Sequence, residues 1–139
     1  MTIAEQVAYW QNLSAEDLGV ARRFLQRGED LHYCLFFCHM SVEKLMKALV
    51  VIATKEAPPK IHDLVRLAER AELILDEERK ATLGIFNTFN LEARYPDYKL
   101  SFFKRCTKEF THEQFAKVEE VYQWLQQQFP KTFSTTSNG

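Results

Sequence analysis

Between residues 31 and 52 the apolar positions Leu31, Leu35, Cys38, Val42, Leu45, Leu49 and Ile52 recur at alternating steps of four and three. That spacing lines them along one side of an α-helix. The flanks are apolar too: Phe36, Phe37, Met40, Met46, Ala48 and Val50. A helix that is apolar around most of its circumference is buried on most of it, so Asp30–Thr54 is expected to be the central helix of a bundle. His39, Ser41, Glu43, Lys44 and Lys47 interrupt the run and are too many polar groups for a membrane span. Glu43 and Lys47 are one turn apart and able to pair, as are His39 and Glu43. These groups either satisfy one another or place Lys44 or Lys47 at a dimer seam or in an anion pocket.

Upstream, Ile3, Val7, Trp10, Leu18, Ala21 and Leu25 keep a helical rhythm to about Arg27. Ser14 interrupts it, and one long helix, bent or frayed there, is expected. Gly28 ends this helix, and the short link through Glu29-Asp30 makes it antiparallel to the central one. Ala57-Pro58-Pro59 closes the central helix. A third helix is expected from near Ile61, with Leu64, Val65, Ala68 and Ala71 as its stripe and His62-Asp63 in its first turn. A fourth is expected from about Glu77 to Tyr95, burying Leu83, Phe86, Phe89 and Ala93. Residues 96–110 show no clean period and read as a loop with Phe102 and Phe103 as anchors. Thr111-His112-Glu113-Gln114 has the form of a capping box, followed by Phe115, Val118, Tyr122, Leu125 and Phe129 in helical spacing up to Pro130.

The pattern therefore predicts an all-α bundle. At 139 residues the chain suits one domain over residues 1–130, with 131–139 as a flexible polar tail. A formal net charge of −1 gives no bulk electrostatic footprint for nucleic acid or an anionic membrane. The start MTIAEQVAYW has no basic n-region, and the three cysteines, Cys34, Cys38 and Cys106, lack zinc spacing. The expected setting is the cytoplasm, with no membrane, no metal and no cofactor.

Candidate chemistry gathers on the fourth helix. Asn87, Asn90 and Arg94 stand at i, i+3 and i+7, on one line. Pro96 ends that helix and presents Arg94, Asp97 and Tyr98 at a corner. An arginine can hold a phosphate bidentately, and the amides can bond a base or sugar. His62, at a helix start, either caps or serves the same ligand. The alternative for this line is a solvated helix face, with Arg94 favoured by the helix dipole. Glycine-rich phosphate loops are absent, and spacing assigns no catalytic set. His39 and Glu43 stand in the wrong order for a di-metal carboxylate bundle.

Four elements in order carry a resemblance. They are Tyr9-Trp10 with Ala15 and Asp17-Leu18, then Val42-Glu43-Lys44-Leu45-Met46-Lys47-Ala48-Leu49, then His62-Asp63-Leu64, then Ala93-Arg94-Tyr95-Pro96-Asp97. Together they resemble a HEPN domain over roughly residues 5–129. The resemblance implies an up-and-down antiparallel bundle of four to five helices that commonly forms a homodimer and is often paired with a minimal nucleotidyltransferase in a toxin–antitoxin-like module. It also implies either nucleotide binding or metal-independent RNA cleavage. On this basis Asn87, Asn90, Arg94, Asp97, Tyr98, Lys44, Lys47 and His62 are the candidate nucleotide-binding residues. The ribonuclease branch carries an arginine and, after four to six intervening residues, a histidine, which titrates near neutrality and suits proton transfer. Here Arg94 fills the arginine slot, Tyr98 stands four residues on, and no histidine follows within the window. Arg105 and His112, with six residues between them, meet the spacing later in the chain. The departure favours a nucleotide-binding partner of a nucleotidyltransferase. The alternatives are a ribonuclease toxin, using Arg94 with His62 or His112 or using Arg105 with His112, and a structural dimerisation module.

Overall fold

The computed structural model describes residues 1–133 and contains six α-helices and no strand among them. They are α1 (Ile3–Arg27), α2 (Leu31–Thr54), α3 (Leu64–Arg70), α4 (Glu77–Arg94), α5 (Pro96–Arg105) and α6 (Lys108–Gln127). Four are long and two short, in agreement with the all-α bundle expected from the periodicity. The central role of α2 holds: it packs against α1, α3, α4 and α6. Leu35, Cys38, Val42, Leu45, Met46 and Val51 are buried along it, and they meet Leu83, Phe86 and Phe89 of α4 and Val118 and Leu125 of α6 in one core. No helix of the described residues is long and apolar enough to cross a membrane.

Local chemistry explains the boundaries. Thr2 caps α1 in a reciprocal capping box with Glu5. Gly28 ends it at φ 69°, a left-handed conformation that costs glycine nothing, and an added Cβ there would stand 3.0 Å from Lys108 Cε. The α1 helix is continuous through Ser14. That residue is fully buried, and its Oγ donates to the Ser41 carbonyl at 2.6 Å and lies 3.1 Å from the Tyr122 hydroxyl. What reads as an interruption in sequence is a polar junction of α1, α2 and α6.

Three expectations need correction. Residues 96–105 form α5 rather than a loop. Proline suits the first position of a helix, Asp97 sits at the positive end and Lys104 and Arg105 at the negative end. Among the described side chains of this helix only Phe102 is fully buried, stacked on Phe89 with ring centroids 6.1 Å apart, so no period betrays it. The last helix begins at Lys108, capped by Thr107, whose Oγ1 accepts from Phe110 N at 3.1 Å. Thr111 and Gln114, the expected box, are instead buried inside that helix. The third helix starts at Leu64, because Asp63 caps it by accepting from Val65 N and Arg66 N. In the expected tail, Lys131–Phe133 form a 3-10 turn held by Gln11 Nε2 donating to the Phe133 carbonyl at 2.8 Å. The remainder of that tail lies outside the described residues.

Candidate functional site

Burial of a carboxylate is costly unless its oxygens find donors. Glu43, in the middle of α2, is 2% exposed. Its Oε2 accepts from Lys47 Nζ at 2.9 Å, and its Oε1 accepts from His62 Nδ1 at 2.9 Å. The first partner comes from the helical i, i+4 spacing. The second comes from the 55–63 connection, which doubles back over α2 after Pro58-Pro59. A further bond fixes that connection: His39 Nε2–H donates to the His62 carbonyl at 3.0 Å. His39 is itself buried, with Nδ1 unpartnered and 3.8 Å from Glu43 Oε1. Burial pulls its imidazole down to about 4 against the opposing pull of Glu43, so it is neutral at pH 7.

The outer half of His62 is open: its side chain is 52% exposed. His62 lines a shallow cleft of about 240 Å³ together with Asp63, Asn87, Asn90 and Leu91. Asn87 ties the walls together: its Oδ1 accepts from Leu64 N at 3.0 Å and its Nδ2 donates to Asp63 Oδ1 at 3.3 Å. Asn90 Oδ1 accepts from Arg94 Nε at 2.6 Å, and the guanidinium lies over the Phe36 ring, 5.4 Å from its centroid. Arg94 is thus oriented by an amide and an aromatic face, and no carboxylate among the described residues pairs with it.

The candidate residues therefore divide. His62, Asn87 and Asn90 line one cleft, and Arg94 is joined to it through Asn90. Lys47 is linked to it through Glu43 but lines a different cavity. Lys44 turns the other way and pairs with Asp17 of α1 at 2.6 Å. Asp97 and Tyr98 lie exposed in the first turn of α5 and are not part of the cleft lining. Arg105 is held by Glu92 at 3.1 Å, while His112 is exposed on α6. Sequence spacing did not single out Glu43 as the centre of the site, nor Asp63 as a cleft wall. The signal available was a lone carboxylate in the most apolar helix, which must have partners.

The three cysteines are free and buried, and burial drives the Cys38 and Cys106 thiols up, the latter to about 12. They are apolar packing groups in this fold. Among the described residues no cluster of histidine, cysteine or carboxylate side chains is arranged to hold a metal ion.

The family model of the HEPN domain matches residues 7–128. The chain belongs to the HEPN domain family, as the order of its motifs suggests. No curated protein and no solved structure matches it.

Proposed function

We propose that this HEPN protein binds a nucleotide, or a nucleotidylated partner, in the cleft between α3 and α4. In this reading it acts as a homodimer beside a minimal nucleotidyltransferase, in a toxin–antitoxin-like module. The observation that carries the reading is Arg94, a cation with no carboxylate partner among the described residues, aimed by Asn90 and adjoining a cleft with two amides and an imidazole. Such a set matches a phosphate together with a sugar or base edge. Exposed Tyr95, Tyr98, Leu100 and Phe103 around α5 offer apolar surface for a second subunit or the partner.

The test is a thermal-shift titration with nucleoside mono-, di- and triphosphates, run beside Arg94→Ala. A ligand at a hundred times its Kd adds about 2.7 kcal/mol, a rise of roughly 5 °C or more for a domain of this size. The expected result is a rise with one nucleotide class that Arg94→Ala abolishes. No rise with any nucleotide refutes the reading. Partnership is tested by co-expression with an adjacent nucleotidyltransferase gene, the two products being expected to co-purify.

A second reading, metal-independent RNA cleavage, is favoured by one feature. A carboxylate orients His62 through Nδ1, and the half-exposed ring lines the cleft, the arrangement a general acid or base requires. Cleavage in the presence of chelator, lost in His62→Ala and retained in His112→Ala, would support it. Intact RNA after prolonged incubation would exclude it.

A further inference from the structure

Lys47 is 7% exposed, yet among the described residues its ammonium makes a single hydrogen bond, to Glu43. An ammonium carries three donors. The remaining capacity lies beside a cavity of about 300 Å³ between the N-terminal part of α1 and the proline turn after α2. Tyr9, Trp10, Lys47, Pro58, Pro59 and Lys60 are among its walls, and the lining holds no carboxylate. The cavity is distinct from the His62 cleft: the two lie at opposite ends of the hydrogen-bonded chain Lys47–Glu43–His62.

The walls define a ligand chemistry. Trp10 and Tyr9 meet edge to face, with centroids 5.2 Å apart, and Lys47 Nζ lies 5.4 Å from the Trp10 centroid. Two prolines supply further apolar surface without backbone donors. The charged side chains of the lining are those of two lysines, one buried and already shared with Glu43, the other exposed. An indole face and apolar proline rings suit a flat aromatic ring, and the lysines suit an anion. The volume is at the small end of ligand pockets, enough for one ring system and one charged group.

We infer that the cavity framed by Trp10, Pro58-Pro59, Lys47 and Lys60 is a binding site for a small aromatic anion. The ligand's ring lies against Trp10 and its anionic group meets Lys60 and the free donors of Lys47. A nucleoside monophosphate and a simple aromatic carboxylate share this chemistry. The site stands on its own residues and does not depend on nucleotide binding at Arg94.

The test uses the full chain carrying Trp124→Phe, so that Trp10 is its single tryptophan. Trp10 emission is followed during separate titrations with AMP, benzoate, adenosine and inorganic phosphate. Saturable quenching by AMP or benzoate is expected, at least about tenfold tighter than by adenosine or phosphate, each of which offers only half of the recognition. Whichever aromatic anion binds names the source. Lys60→Ala, a change at an exposed position, is expected to weaken the response at least about threefold, and Arg94→Ala to leave it unchanged. A response to neither aromatic anion overturns the inference, as does quenching by phosphate equal to that by both anions. Quenching sensitive to Arg94→Ala but not to Lys60→Ala also overturns it and assigns the signal to the α3–α4 cleft.

Discussion

Replacing Glu43 with glutamine keeps the shape of the side chain and removes its charge. In the folded protein that leaves Lys47, 7% exposed, as a buried ammonium without a counter-charge. The carboxylate is itself 2% exposed and holds two bonds of 2.9 Å, to Lys47 and to His62. Removing one member of such a buried pair costs about 3–5 kcal/mol, because the surviving charge has lost its partner but not its desolvation penalty. That is a large share of a net stability of about 5–15 kcal/mol. Lys47→Met is expected to cost less, because the half-exposed His62 still donates to the carboxylate. The double variant Glu43→Gln with Lys47→Met contains neither charge. Its cost is expected to fall at least about 2 kcal/mol below the sum of the single costs. Equilibrium urea unfolding of the four proteins at pH 7.5 measures all three differences. If the single costs are each under about 1 kcal/mol, or if they simply add, then Glu43 and Lys47 are solvated and the buried chain described above is wrong.

Two further predictions concern buried polar groups. His39 has an ordinary value of 6.5 and is held near 4 in the fold by burial, so between those values the unfolded chain binds the extra proton. Stability from this group is complete above about pH 6.5 and is lost as pH falls toward 4, by up to about 1.4 kcal/mol per pH unit and about 3 kcal/mol in all. His39→Gln, which keeps an N–H for the His62 carbonyl, is expected to show a shallower fall between pH 7 and pH 4.5 in urea unfolding; parallel curves would contradict a buried neutral imidazole. Ser14→Ala removes the hydroxyl shared by the Ser41 carbonyl and Tyr122 and is expected to cost about 1–2 kcal/mol, whereas a change within 0.5 kcal/mol would show that the α1–α2–α6 junction is not held there.

Much of the fold is legible along the chain, and the reason is local. The α2 stripe repeats at helical spacing because burial on one face selects apolar residues there. Gly28, Pro58-Pro59 and Pro130 punctuate it because backbone geometry acts on one or two residues at a time. Helix α5 escaped notice because, among its described side chains, only Phe102 is fully buried, and a single buried residue has no period. The competing caps at Thr107 and Thr111 look alike in sequence. What separates them is that Thr111 is needed inside the core face of α6.

By itself the sequence determined the all-α class and the central position of α2, which follow from local periodicity, and it carries motifs in the order that resembles a HEPN domain. Only the tertiary structure decided which polar groups meet. Glu43 and His62 are 19 residues apart, and they pair because the proline turn folds the connection back over α2. Lys44 and Lys47 are neighbours on one helix, yet the rotation of α2 sends one to Asp17 of α1 and the other to Glu43 and the Trp10 cavity. Periodicity records how deeply each position is buried. The identity of its partner depends on helix rotation and loop path, which are properties of the packed chain.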